Sequence, residues 1–131
     1  MKKLYLCDRI INMYFQFTTS TELVRIPIDA VVYIAADGNY SSIRMVDNSI
    51  YVLTLQLGQI EKRISETVKN NDNRFVRIGK SLIVNRQFIT TINPYRQKLI
   101  LADGRTFRHE LSAAKEALKN LKDLFEKEAT K

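Results

Sequence analysis

The sequence is poor in the residues that staple or punctuate a chain, and poor in those that carry out chemistry. It holds one cysteine, one histidine, two prolines, four glycines and no tryptophan in 131 residues. A lone Cys7 cannot close an internal disulfide, which excludes a secreted, disulfide-stapled scaffold. With His109 as the single imidazole, a Cys/His metal cluster cannot be assembled, and no metal is expected. So few glycines and prolines argue against long linkers and low-complexity segments. No apolar run approaches the roughly 20 residues of a membrane-spanning helix. The opening MKKLYLCDRIINMYF is basic, but Asp8, Arg9 and Asn12 interrupt its apolar stretch and no small-residue cleavage pattern follows. A cytoplasmic protein that does not engage membrane is the expectation.

Catalytic patterns are missing too. There is no Walker loop, no GxGxxG phosphate cradle and no GxSxG nucleophile elbow. The carboxylates are scattered, with no spacing that marks a pair for acid–base work. The sequence therefore points away from an enzyme, a cofactor or a small-molecule substrate. Helix-turn-helix is not indicated, because no second helix precedes the middle one. The RNA-recognition consensus is absent, since FVRIGKSL lacks its spaced aromatics.

What is present is a globular composition, 45% hydrophobic and 27% charged, in a length that suits one domain. The formal net charge is +7, and its distribution is uneven. Acids and bases balance before residue 74 and again after residue 108. Between these limits lie Arg74, Arg77, Lys80, Arg86, Arg96, Lys98, Arg105 and Arg108, against the single acid Asp103. A segment of this kind creates a local positive potential that draws polyanions. Nucleic acid is the partner it suits best, because each neutralised phosphate releases condensed counterions.

Apolar alternation predicts strands over 10–17, 22–26, 30–36, 40–46, 50–54, 75–78, 80–84, 87–93 and 97–101. Asp37-Gly38, Asp47-Asn48-Ser49 and Asp103-Gly104 are the turn signals between them. Leu57, Ile60, Ile64 and Val68 recur at helical spacing and predict an amphipathic helix over about 56–70. Leu111, Ala114, Leu118, Leu121 and Phe125 predict a C-terminal helix over about 111–127, with Ser112 as its N-cap. Strands, helix, strands, helix without strict alternation favour a mainly β or α+β domain with antiparallel sheets over a doubly wound one.

The segments IPIDAVVYI (26–34) and ADGNYSSI, then FVRIGKSLIVN followed by FITTI, resemble the LytTR DNA-binding domain. Phe75, Arg77, Ser81, Val84 and Asn85, and then Ile89, fall in register with the family's "F.R.H.S..VN" block. The resemblance runs from about Leu23 to Leu121. It implies an elongated stack of short antiparallel sheets and a bacterial, response-regulator-like transcription regulator. Such a protein would bind double-stranded DNA through loops placed in successive major grooves. Paired half-sites would suit a homodimer on DNA. About 20 residues precede the matched region, too few for a receiver domain, so the resemblance implies a stand-alone regulator. It divides the chain into an N-terminal strand or extension (1–20), the DNA-binding domain (21–110) and a C-terminal helix packed on it (111–131).

Carried over by position, the first reading loop falls on Asn39, Tyr40 and Ser41, where Tyr40 either contacts DNA or packs on the sheet. The second falls on Gly79, Lys80 and Ser81. Lys80 has the reach for a guanine edge or a phosphate. Arg77 either contacts phosphate or buttresses the loop. Arg86 reads as an exposed phosphate contact, and Asn85 as a residue that fixes the following turn. Ala35 stands where the family has Glu, and Gly79 where it has His. The late segment His109–Ser112 lacks the family's groove-entering Arg and brings Glu110, for which Arg105 and Arg108 would compensate. These departures leave a second function open, a protein-interaction module on the same fold with weakened DNA binding. Single-stranded RNA stacked on Tyr40 or Tyr95 is a third.

Overall fold

The β-branched run after Pro27 becomes the middle strand of the molecule. The computed structural model describes residues 14–18, 20–67 and 73–129. Strand β3 (Val31–Asp37) turns at Gly38 and pairs antiparallel with β4 (Tyr40–Met45), which pairs with β5 (Ile50–Leu53). Gly38 sits at φ 64°, a conformation open to glycine and costly for most side chains. On its other edge β3 pairs with β7 (Leu82–Asn85), and β7 pairs with β6 (Phe75–Ile78). The result is a five-stranded antiparallel sheet in the order β5-β4-β3-β7-β6.

A separate ribbon is formed by β1 (Tyr14–Thr18) and β2 (Leu23–Pro27). A third sheet, in the order β10-β9-β8, comprises β8 (Ile89–Asn93), β9 (Lys98–Ala102) and β10 (Arg108–Ser112). Helix α1 spans Leu57–Thr67 and helix α2 spans Lys115–Ala129. Mainly antiparallel strands in short sheets with two helices is the architecture the resemblance implies.

The five-stranded sheet is the wall between two cores. One face packs Ile34, Ile43 and Ile83 against Phe15, Phe17 and Ile26 of the ribbon and Ile60 and Ile64 of α1. The other packs Val32, Leu82 and Val84 against Leu99 and Leu101 of β9 and Leu118 and Leu121 of α2. Alternation along β7 sends Leu82 and Val84 one way and Ile83 the other, as the strand pleat requires. A register shift between Val31 and Tyr33 lets β3 place Val32 and Tyr33 together on the second core.

The C-terminal helix differs from the sequence expectation. It begins at Lys115, not 111, because Arg108–Ser112 pairs with β9 from Arg108↔Ala102 to Ser112↔Lys98. Leu111 and Leu118 reach the same core, the first from a strand and the second from a helix, which mimics one helical stripe. Ser112 lies in β10 and caps nothing. Residues 10–13 of the expected first strand, 68–70 of the middle helix, and Cys7 lie outside the described residues.

Antiparallel pairing sorts the loops by end. The turns after β3 and β6 and the residues leading into α1 share one end of the five-stranded sheet, the near end. The β4–β5 turn lies at the far end, and Asn48 Nδ2 donates to Thr106 O at 3.1 Å, which joins the β9–β10 loop to it. β3 has seven residues, so the two ends are roughly 20 Å apart.

Candidate nucleic-acid interface

At the near end the two expected reading loops stand side by side. Ala36 N donates to Ser81 O at 2.9 Å, and Ala35 pairs with Leu82 across the strands. Gly79 turns at φ 63°. Arg77 then holds the loop from beneath, donating from Nε to Gly79 O at 3.1 Å and from Nη2 to Lys80 O at 3.2 Å. Its Nη1 is tied to Glu61 Oε1 of α1 at 2.7 Å. Of the two roles open to Arg77, buttressing is the one its geometry serves.

With its carbonyl held inward, Lys80 presents an exposed side chain that no ion pair among the described residues engages. Ser81 and Asn39 are exposed, and Tyr40 is 51% exposed. Ser41 is not available. It is fully buried, and its hydroxyl donates to Leu55 O at 2.7 Å, fastening the segment that leads into α1. The expectation that Ser41 faces DNA is corrected by β4's alternation, which points Tyr40 outward and Ser41 inward.

Arg86 is corrected likewise. Its side chain is only 14% exposed and pairs with Glu128. Its guanidinium carbon sits 5.0 Å from the centre of the Phe125 ring, and Nη1 donates to Asn73 O at 3.4 Å. The residue expected to meet phosphate instead holds the last turns of α2 against the sheet. Asn85 does fix the following turn. It is fully buried, its Oδ1 accepts from Gln87 N at 3.1 Å, and its Nδ2 donates to Val31 O at 2.9 Å.

Arg105 and Arg108 are exposed but belong to the far end, away from Lys80. There the Asp103 carboxylate accepts the N–H groups of Arg105, Thr106 and Phe107 at 2.9, 2.7 and 3.1 Å. These bonds, the Arg105 N–H foremost, lower its pKa to about 2. Glu110 lies 3.7 Å from Lys98, which offsets its charge. His109 is wedged between Tyr33 and Phe107, each ring centre 5.4 Å away, and its Nε2 is buried without a partner. Burial, and then the charge of Arg44, lowers its pKa.

The sequence reading gives Tyr95 a role only in the RNA alternative and leaves it out of the expected duplex-DNA contacts. In the structure Tyr95, in the turn between β8 and β9, is 86% exposed, and Lys115 Nζ stands 4.7 Å from the ring centre. An aromatic followed by arginine inside an Asn-Pro turn is the signal that marked it. Among the described residues no group of three His, Cys, Asp or Glu side chains converges as a metal site.

A family model described as the LytTr DNA-binding domain matches residues 21–126. Among solved structures, the chain is similar to the LytTr DNA-binding domain of a methyl-accepting/DNA response regulator from Bacillus cereus. That likeness has 18% identity and a TM-score of 0.59, and covers 86% of this chain and 96% of the other. At such identity it is a likeness of fold. No curated protein gives a significant match.

Proposed function

The chain belongs to the LytTR DNA-binding domain family, and from that premise we propose that it is a sequence-specific bacterial transcription regulator that reads duplex DNA with its near-end loops. DNA binding in transcription regulation is the family's activity; the choice of residues is our reading. Asn39 and Tyr40 from one loop, and Lys80 and Ser81 from the other, make the contacts. Lys80 addresses a guanine edge or a phosphate in the major groove, and the hydroxyls and amide bond phosphate and base edges. Arg77 contributes indirectly by fixing the loop. Arg105 and Arg108, roughly 20 Å away, add positive potential that draws the duplex in, and do not share the reading surface.

The observation that carries this reading is an unpaired lysine on a loop whose backbone is already held. The alternative of a protein-interaction module is weakened by α2, whose apolar stripe is spent inside its own domain through Leu118 and Leu121. Two copies on adjacent half-sites would give such a regulator its specificity, and it would work in the cytoplasm with the chromosome. No helix among the described residues is long and apolar enough to cross a membrane.

The test is fluorescence anisotropy with duplex and single-stranded DNA at about 50 and 200 mM salt. Salt-sensitive binding that favours duplex is expected. Lys80→Ala should weaken it and reduce the slope of log affinity against log salt by about one. A preference for single strands would redirect the reading to RNA. Absence of binding at low salt would redirect it to a protein partner.

A further inference from the structure

Tyr95 poses a question that the two reading loops leave open. It is the most exposed of the large apolar or aromatic side chains among the described residues, yet the turn that carries it is firmly held. Asn93 Oδ1 accepts from Arg96 N at 3.1 Å, and Gln97 N donates to Pro94 O at 3.1 Å. Gln97 adopts φ 56° to close the turn, and Pro94 is buried. Gln97 O accepts from Ala113 N at 3.3 Å, so the base of the turn is fastened to the chain entering α2. A tyrosine fixed in water gains nothing from burial.

Cations gather around it. Lys115 lies over the ring and Arg96 follows it in the chain, exposed. Lys98 is the neighbour already committed to Glu110. The start of α2 also borders the second reading loop, because Gly79 shares a cleft with Ala114, Glu116 and Ala117. The turn and the Lys80 loop therefore flank the start of α2 on two sides, both away from the Arg105 and Arg108 end.

We infer that Tyr95, Arg96 and Lys115 form a third DNA-contacting element, in which two cations neutralise backbone phosphates and the tyrosine ring packs against the sugar between them. Phosphate contacts of this kind fix register and orientation and carry no base code. The aromatic supplies contact area at low conformational cost, having only two side-chain torsions to fix. The inference rests on the proposed duplex-DNA reading and extends the surface from two loops to three.

The experiment uses the full chain and a random duplex, with affinity followed over a series of salt concentrations. Removing two phosphate contacts with the double variant Arg96→Ala/Lys115→Ala should lower the salt slope by about two and weaken binding at least about tenfold at low salt. Tyr95→Ala should weaken binding severalfold with the slope unchanged, since it removes no charge. Arg96→Lys/Lys115→Arg should keep the slope, which separates charge from folding. All of these positions are exposed, so unchanged melting temperatures are expected. Wild-type protein that fails to bind duplex overturns the DNA reading and this element with it. Wild-type binding whose slope falls with Lys80→Ala but not with the double alanine variant overturns this element alone.

Discussion

Replacing Arg86 by alanine should unfold the protein more easily and leave its affinity for DNA intact, the reverse of what its position in the basic segment suggests. The guanidinium makes three contacts, each of modest strength. Its pair with half-exposed Glu128 contributes about 0.5 kcal/mol. Stacking over Phe125 at 5.0 Å contributes about 1 kcal/mol at a site this sheltered. Removing the methylene stem of a side chain only 14% exposed costs a further ~0.5–1 kcal/mol. The bond to Asn73 O is long at 3.4 Å and adds little. The total is about 2 kcal/mol. With an unfolding entropy of about 2.1 cal/mol/K per residue, a chain of 131 residues should then melt about 7 °C lower. Thermal melting by circular dichroism measures the first quantity and anisotropy at several salt concentrations the second. A double cycle with Phe125→Ala should show coupling, because the two side chains touch. If Arg86→Ala melts like wild type and lowers the salt slope by about one, the clamp is wrong and Arg86 is a phosphate contact after all.

Other outcomes follow from buried polar groups. Asn85→Ala leaves Val31 O without its partner in the interior and removes the part-buried bond from Gln87 N, and should cost about 2 kcal/mol in urea unfolding with no change in the salt slope of DNA binding. His109 binds a proton less readily when folded than the ordinary imidazole value of 6.5. Its stabilisation is therefore complete above pH 6.5 and is lost as pH falls below that value, where the unfolded chain takes up the proton first. Unfolding free energy should drop between pH 7.5 and 5.5, and His109→Phe should flatten that drop; an equal drop in the variant would assign the effect to other groups.

How much the sequence reveals depends on how far each cause reaches along the chain. The β3–β4 hairpin was legible because Asp37-Gly38 sits between two apolar alternations, and α1 because Leu57, Ile60 and Ile64 keep one period. The start of α2 was not. Leu111 fits both a helical stripe and the alternation of β10, and only pairing with β9 decides between them. The site shows the same division. Lys80 was legible as a loop cation through the resemblance, while apolar alternation alone put it in a strand over 80–84. Arg86 looked equally free because its acid, Glu128, lies 42 residues away. Arg77 finds Glu61 at a separation of 16 residues, and Ser41 finds Leu55 at 14. Each role was set by a partner that local sequence does not display.

The bonds of Arg77 to the carbonyls of Gly79 and Lys80 have a thermodynamic consequence. Ordering a free loop on association costs about 1–2 kcal/mol per residue in lost backbone freedom. Here that ordering is complete before any partner arrives, and only the Lys80 and Ser81 side chains remain to be immobilised. Association by such a loop should be limited by orientation rather than by rearrangement, and complexes should form quickly. The same rigidity denies the loop any adjustment to a site displaced by one step, so a ligand has to fit the loop rather than mould it.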